Sequence, residues 1–199
     1  MGTGTPASGI YLARHGRTAY NEEGRFQGRQ PVPLDAVGVE QAYELAESAA
    51  SYGFQVMYAS TLFRAAQTAA IVGERLRLEP IPDERLVETD AGDWTDRLFS
   101  DVRAEAPELF DMFAAGDPAF AFPGGESFAH QEVRVLAALA EIETGPTPAL
   151  VVCHGMVIRA ALHGRFGRPE HYGRPQNGAL IPFDASAVSL GPDAATPSS

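Results

Sequence analysis

The chain has 199 residues, with 26 Asp and Glu against 15 Lys and Arg, for a net charge of −11. That balance argues against nucleic acid or an anionic membrane as partner, because both demand a basic surface. A single cysteine excludes an intrachain disulfide, and no apolar run approaches the roughly 20 residues of a membrane span. A chain of this length buries roughly 70% of its unfolded surface, so it needs no disulfide or metal staple, and residues 1–199 read as one domain. Residues 1–9 hold neither a charged n-region nor an apolar h-region, which predicts no signal peptide and a cytoplasmic protein.

In chain order, residues 1–9 are a small, polar, loose tail. Ile10-Tyr11-Leu12-Ala13 is a short buried strand that runs straight into Arg14-His15-Gly16. Asp35 caps a helix to about Ser51, with Gly53 as its stop. Phe54 to Ala59 is the next strand, and Ser60 or Thr61 caps a helix to about Leu76. After Leu78 to Ile81 comes a polar loop carrying Glu88. Residues 95–143 are mostly helical, broken at Pro107, at Gly116-Asp117-Pro118 and at Pro123-Gly124-Gly125. Ala149 to Cys153 is a fully buried strand closed by His154-Gly155, and a helix follows to about Phe166. Ala179 to Phe183 and Ala187 to Leu190 add edge strands, and residues 191–199 form a second loose tail. The alternation predicts an α/β three-layer sandwich with a mostly parallel central sheet and helices on both faces. Residues 95–125 break the rhythm and read as a small helical cap insert. The edges of such a sheet are also surfaces on which two copies can pair as a homodimer.

In open α/β sheets, ligands bind outside the carboxyl ends of the strands. Here three strand ends present Arg14, His15, Arg64 and His154 to one edge. Any one of them alone reads as a capping or solvated side chain; together they describe a site for a phosphomonoester. Arginine offers permanently charged, bidentate donors matched to phosphate oxygens. A neutral imidazole can attack phosphorus, and helix N-termini after Ser60 and Gly155 add backbone N–H groups. A leaving alkoxide needs a proton, for which Glu88 is the candidate, with Asp90 and Asp93 as rivals.

Four segments carry a resemblance. They are Arg14-His15-Gly16-Arg17-Thr18 with Asn21, Gln27-Gly28 and Pro33-Leu34; Ser60-Thr61-Leu62-Phe63-Arg64-Ala65 with Thr68-Ala69; Leu86-Val87-Glu88 with Gly92-Asp93-Trp94; and Val151-Val152-Cys153-His154-Gly155 with Ile158-Arg159. In order and spacing this set resembles the histidine phosphatase superfamily (phosphoglycerate mutase-like). The resemblance implies that His15 is the nucleophile of a phosphohistidine route. It implies that Arg14, Arg64 and His154 clamp the transferring phosphoryl group. Glu88 would protonate the leaving oxygen and then deprotonate water. Asn21, Gln27, Gly28, Gly155 and Met156 match positions lining the phosphate pocket, and the resemblance implies no metal and no organic cofactor. The sequence departs from the family at Pro31, where Asp is common, and at Thr95-Asp96, where Glu-Gly usually follows the Trp.

Between Thr89 and His130 the only bases are Arg97 and Arg103, amid many Phe and Leu. The short cap and Pro123-Gly124-Gly125-Glu126-Ser127 resemble the phosphatase branch, which implies hydrolysis of a small phosphorylated substrate. A cofactor-dependent phosphoglycerate mutase, with Arg97 or Arg103 reaching a carboxylate, is the alternative. An inactive phospho-ligand binding module is a further one. A thiol enzyme built on Cys153 and His154 is disfavoured because adjacent strand residues face opposite ways. Zinc on His163 and His171 is disfavoured because no ligand cluster adjoins them.

Overall fold

A computed structural model describes residues 9–168 and 174–184. The tails (Gly9 apart), the strand expected at 187–190 and His171 lie outside the described residues. Five strands run β1 Ile10–Arg14, β2 Val56–Ala59, β3 Pro80–Pro82, β4 Ala149–Cys153 and β5 Leu180–Pro182. The helices are α1 Ala19–Glu23, α2 Ala36–Ala49, α3 Phe63–Leu76, α4 Phe99–Glu105, α5 Pro107–Ala115, α6 Phe128–Ile142 and α7 Gly155–Phe166.

The sheet order is β3-β2-β4-β1-β5. The first four strands are mutually parallel, and β5 returns antiparallel along β1. β4 is central and buried at all five positions, as its unbroken apolar run requires. Its side chains alternate between two cores. Val151 and Cys153 meet Leu139, Ile158 and Leu162 of α6 and α7 on one face. Leu150 and Val152 meet Leu45, Ala69 and Val72 of α2 and α3 on the other. Each of the Val, Leu and Ile side chains among them contributes roughly 1.5–3 kcal/mol through burial. The result is the three-layer α/β arrangement that the alternation of elements predicts. Arg14 pairs in register with Cys153, so β1 and β4 end level and deliver His15 and His154 to the same edge.

Asp35 caps α2 as expected, its carboxylate accepting from Gly38 N at 2.7 Å. The cap of α3 differs from expectation. The N-cap is Leu62, whose apolar side chain makes no cap bond, and Ser60, two residues earlier, accepts from Leu62 N at 3.3 Å while also meeting His154 at 2.7 Å. Residues 95–125 contain α4 and α5, with Pro107 at the first turn of α5, where a missing N–H costs nothing. These helices close over a third core made of Phe26, Trp94, Val102, Phe113, Phe120, Phe122 and Phe128.

Candidate active site

His15 continues the β1 ladder, its N–H donating to Cys153 O at 3.0 Å. The imidazole Nδ1 lies 2.7 Å from Gly16 O. A carbonyl only accepts, so Nδ1 bears the proton and Nε2 keeps its lone pair. Arg64 Nε donates to that Nε2 at 3.2 Å. The backbone after His15 packs directly on the start of α2. A Cβ at Gly16 would stand 2.1 Å from Gly38 O, so only glycine fits there.

Arg64 is fully buried. Besides His15 it donates to Gly28 O at 2.9 Å and Gln30 O at 3.1 Å. Gly28 offers its carbonyl from a left-handed conformation, φ 50°. Burial lowers the Arg64 guanidinium to about 10, with Glu88 opposing the fall, so the group stays charged at neutral pH. Thr68 joins the two elements, accepting from Gly16 N at 3.1 Å and donating to Arg64 O at 2.8 Å.

His154 stands beside His15, with ring centroids 5.1 Å apart. Its Nδ1 is buried and has no hydrogen-bond partner among the described residues. Ser60 Oγ, which accepts from Leu62 N, can give its own proton to His154 Nε2 and so leave Nδ1 as a donor. Burial, followed by the charges of Arg64 and neighbouring groups, holds both imidazoles well below the usual histidine range. Both are therefore neutral at pH 7.

Arg14, His15, Asn21, Gln27, Gly28, Arg64, Glu88, Gly155 and Met156 line one pocket. Its cavity measures about 70 Å³ and opens to solvent at the mouth. Of the ten positions singled out from sequence, only His154 sits behind the lining. Asn21 and Gln27 are both steadied by Thr18, whose hydroxyl donates to Gln27 Oε1 at 3.0 Å and whose N–H donates to Asn21 Oδ1 at 3.2 Å. The Glu88 carboxylate accepts from Thr89 N at 2.9 Å and from Met156 N, in the first turn of α7, at 3.4 Å. Asp90, its rival, turns back to cap Gly92 N at 3.0 Å, and neither Asp90 nor Asp93 lines the pocket.

Several contributors escaped the sequence reading. Asn177 donates to His15 O at 2.9 Å and to Asn21 Oδ1 at 3.2 Å, fastening the loop from behind. Phe26, Phe99, Phe113 and Phe122 give the pocket an aromatic wall, and beside Arg14 and Arg64 it carries the cations Arg25 and Arg174. Arg97 and Arg103 do not line it. Arg97 pairs with Glu105, and Arg103 lies over the Phe110 ring at 5.7 Å. The basic composition of 89–130 was visible in sequence, but a loop arginine such as Arg174 gave no signal beyond its charge. Cys153 points into the α6/α7 core, and burial pushes its thiol far up, away from nucleophilic use. His163 is buried, with Arg159 and Arg168 facing it, and no cluster of metal-ligating side chains occurs among the described residues.

The family comparison agrees with this geometry. The profile of the histidine phosphatase superfamily (branch 1) matches residues 10–182. The chain belongs to that superfamily. Two curated relatives named probable phosphoglycerate mutase GpmB come from Proteus mirabilis and Enterobacter sp.. They are 34% and 35% identical, and each match covers 81% of this chain and 76% of the relative. A solved mycobacterial glucosyl-3-phosphoglycerate phosphatase complexed with VO3 superimposes with a TM-score of 0.81 at 30% identity, covering 87% of this chain and 91% of that one. A Thermus thermophilus protein, TTHB049, gives 0.71 at 29% identity over 86% of this chain and 90% of that one.

Proposed function

We propose that this chain hydrolyses phosphomonoesters of small metabolites through a phosphohistidine at His15. The observation that carries the reading is the His15 Nε2 lone pair, fixed by the Nδ1 contact to Gly16 O and held in one pocket with Arg14, Arg64 and Glu88. Nε2 attacks phosphorus, the ester P–O bond breaks, and Glu88 gives its proton to the leaving oxygen. Arg14, Arg64 and the unsatisfied His154 Nδ1 stabilise the charge on the equatorial oxygens. Asn21, Gln27, Gly28, Gly155 and Met156 complete the phosphate cradle. Water then attacks the phosphohistidine, Glu88 takes its proton, the N–P bond breaks and phosphate leaves.

Hydrolysis is favoured over isomerisation by the aromatic wall and by the phosphatase among the solved relatives. The mutase reading draws on the GpmB relatives and on Arg25 and Arg174, which could meet a substrate carboxylate. A panel containing 3-phosphoglycerate, with and without bisphosphoglycerate, and glucosyl-3-phosphoglycerate separates the two. Release of inorganic phosphate supports hydrolysis, and isomer formation dependent on bisphosphate supports the mutase. Phosphate binding with no turnover of any ester would leave a binding module. Within the proposed route, Glu88→Gln lowers kcat/KM for alkyl esters by about 10²-fold, and for aryl phosphates by only a few-fold, since good leaving groups need no proton. Cytoplasmic residence belongs to the same proposal, supported by the lone buried cysteine.

A further inference from the structure

Behind the loop that carries Glu88 lies an ion pair that none of these steps uses. Arg134, on α6, donates through one terminal nitrogen to Arg85 O and Val87 O, each at 2.7 Å. Its other terminal nitrogen reaches Glu88 O at 3.4 Å. Glu126, just ahead of α6, grips the same guanidinium through both oxygens, at 2.7 Å to Nε and 2.8 Å to the terminal nitrogen. Glu126 also accepts from Asp90 N at 3.3 Å and from Arg29 at 3.3 Å. The backbone is thus held at residues 85, 87 and 88 and again at 90, on both sides of Glu88. The Glu126 side chain is 5% exposed and that of Arg134 15%, so solvent screens the pair little.

The carbonyls of Arg85 and Val87 belong to no strand, and one planar, five-donor fork serves both. Lysine cannot span this set. We propose that Arg134 and Glu126 are positioning residues that fix the placement of the Glu88 carboxyl at the pocket. The proposal rests on the reading of Glu88 as the general acid. Loosening the pair then costs proton delivery and spares phosphate binding, because displacements of about 1 Å cost about 10²-fold in such steps.

The test is kcat/KM for Arg134→Lys and Glu126→Gln across phosphate monoesters graded from p-nitrophenyl to alkyl leaving groups. This parameter reports events up to phosphoryl transfer to His15, so the later water step does not mask the result. Expected is a loss of about 30-fold or more on alkyl esters, about 3-fold or less on p-nitrophenyl phosphate, and a nearly unchanged inhibition constant for inorganic phosphate. Glu126→Gln keeps the side chain's shape and carries the same expectation should Arg134→Lys fail to fold, which melting curves report. Equal losses on both ester types, beside a Glu88→Gln variant that still discriminates them, would overturn the proposal and leave the pair as scaffold. A Glu88→Gln variant that loses both ester types equally removes the acid assignment, and the proposal with it.

Discussion

The floor and the wall of the pocket are built by opposite means. The floor gathers Arg14, His15, Arg64 and His154 at the ends of parallel strands and the start of α3. Each is held by directional bonds, and Arg64 is fully buried yet bonded to His15, Gly28 and Gln30. The wall, from α4, α5 and their flanking loops, packs rings with centroids as close as 4.4 Å, the Phe26–Phe99 pair. Ring packing tolerates exchange of one apolar shape for another, whereas a buried cation tolerates no lost acceptor. Under the proposed function, the rigid part is assigned the chemistry and the adaptable part the substrate choice.

Substitutions can break or sharpen that division. The largest effect is expected for His15→Ala, which should remove at least about 10³-fold of turnover while circular dichroism stays native. Retention of more than about a hundredth of the activity would show that the floor does not act through a covalent route. Phe113→Ala, on the wall, should instead cost about 3–5 kcal/mol of stability, read from urea melts. Its kcat/KM for p-nitrophenyl phosphate should fall less than that of the floor variant, because this small ester asks little of the wall.

Acid offers a third probe. His15, His154 and His163 are held below the usual histidine range by burial, His163 at about 4. The unfolded chain takes up these protons near pH 6.5 and the folded chain does not. Their contribution to stability is thus full above about 6.5 and is lost progressively below it, for His163 down to about 4. The melting temperature should drop between pH 7 and 5, and His163→Gln should remove part of the slope. A melting temperature level across that range would contradict the buried neutral imidazoles.

The smallest effect lies where floor meets wall. Asp96 holds φ 69°, a left-handed conformation that favours glycine. Asp96→Gly should alter stability by no more than about 0.5 kcal/mol, and Asp96→Ala should cost about 1 kcal/mol, both measured by melting.

The floor was legible because its signals are local. Arg14-His15-Gly16 and His154-Gly155 each follow an unmistakable apolar strand, and parallel strands of one sheet must end on one edge. The wall was legible only as composition. Which aromatic residues face the pocket depends on how α4 and α5 lie across Phe26 and Trp94, a long-range packing result. That Arg25 and Arg174 line the pocket, and not the Arg97 or Arg103 of the alternative mutase reading, has the same origin. Ser60 misled for a different reason: the helix begins two residues later, with Leu62 as its N-cap, and the hydroxyl is shared between Leu62 N and a buried imidazole. The direction of β5 was equally hidden, because a three-residue strand carries too little pattern to declare its sense.

Asn177 and Gly178 latch onto the backbone of Arg14 and His15 after the chain has passed through three further strands and seven α-helices. During synthesis, the segment that locks the reactive imidazole loop is among the last of the described parts to leave the ribosome. A chain stalled before that point has His15 but lacks the hydrogen bonds from Asn177 and Gly178 that hold its loop.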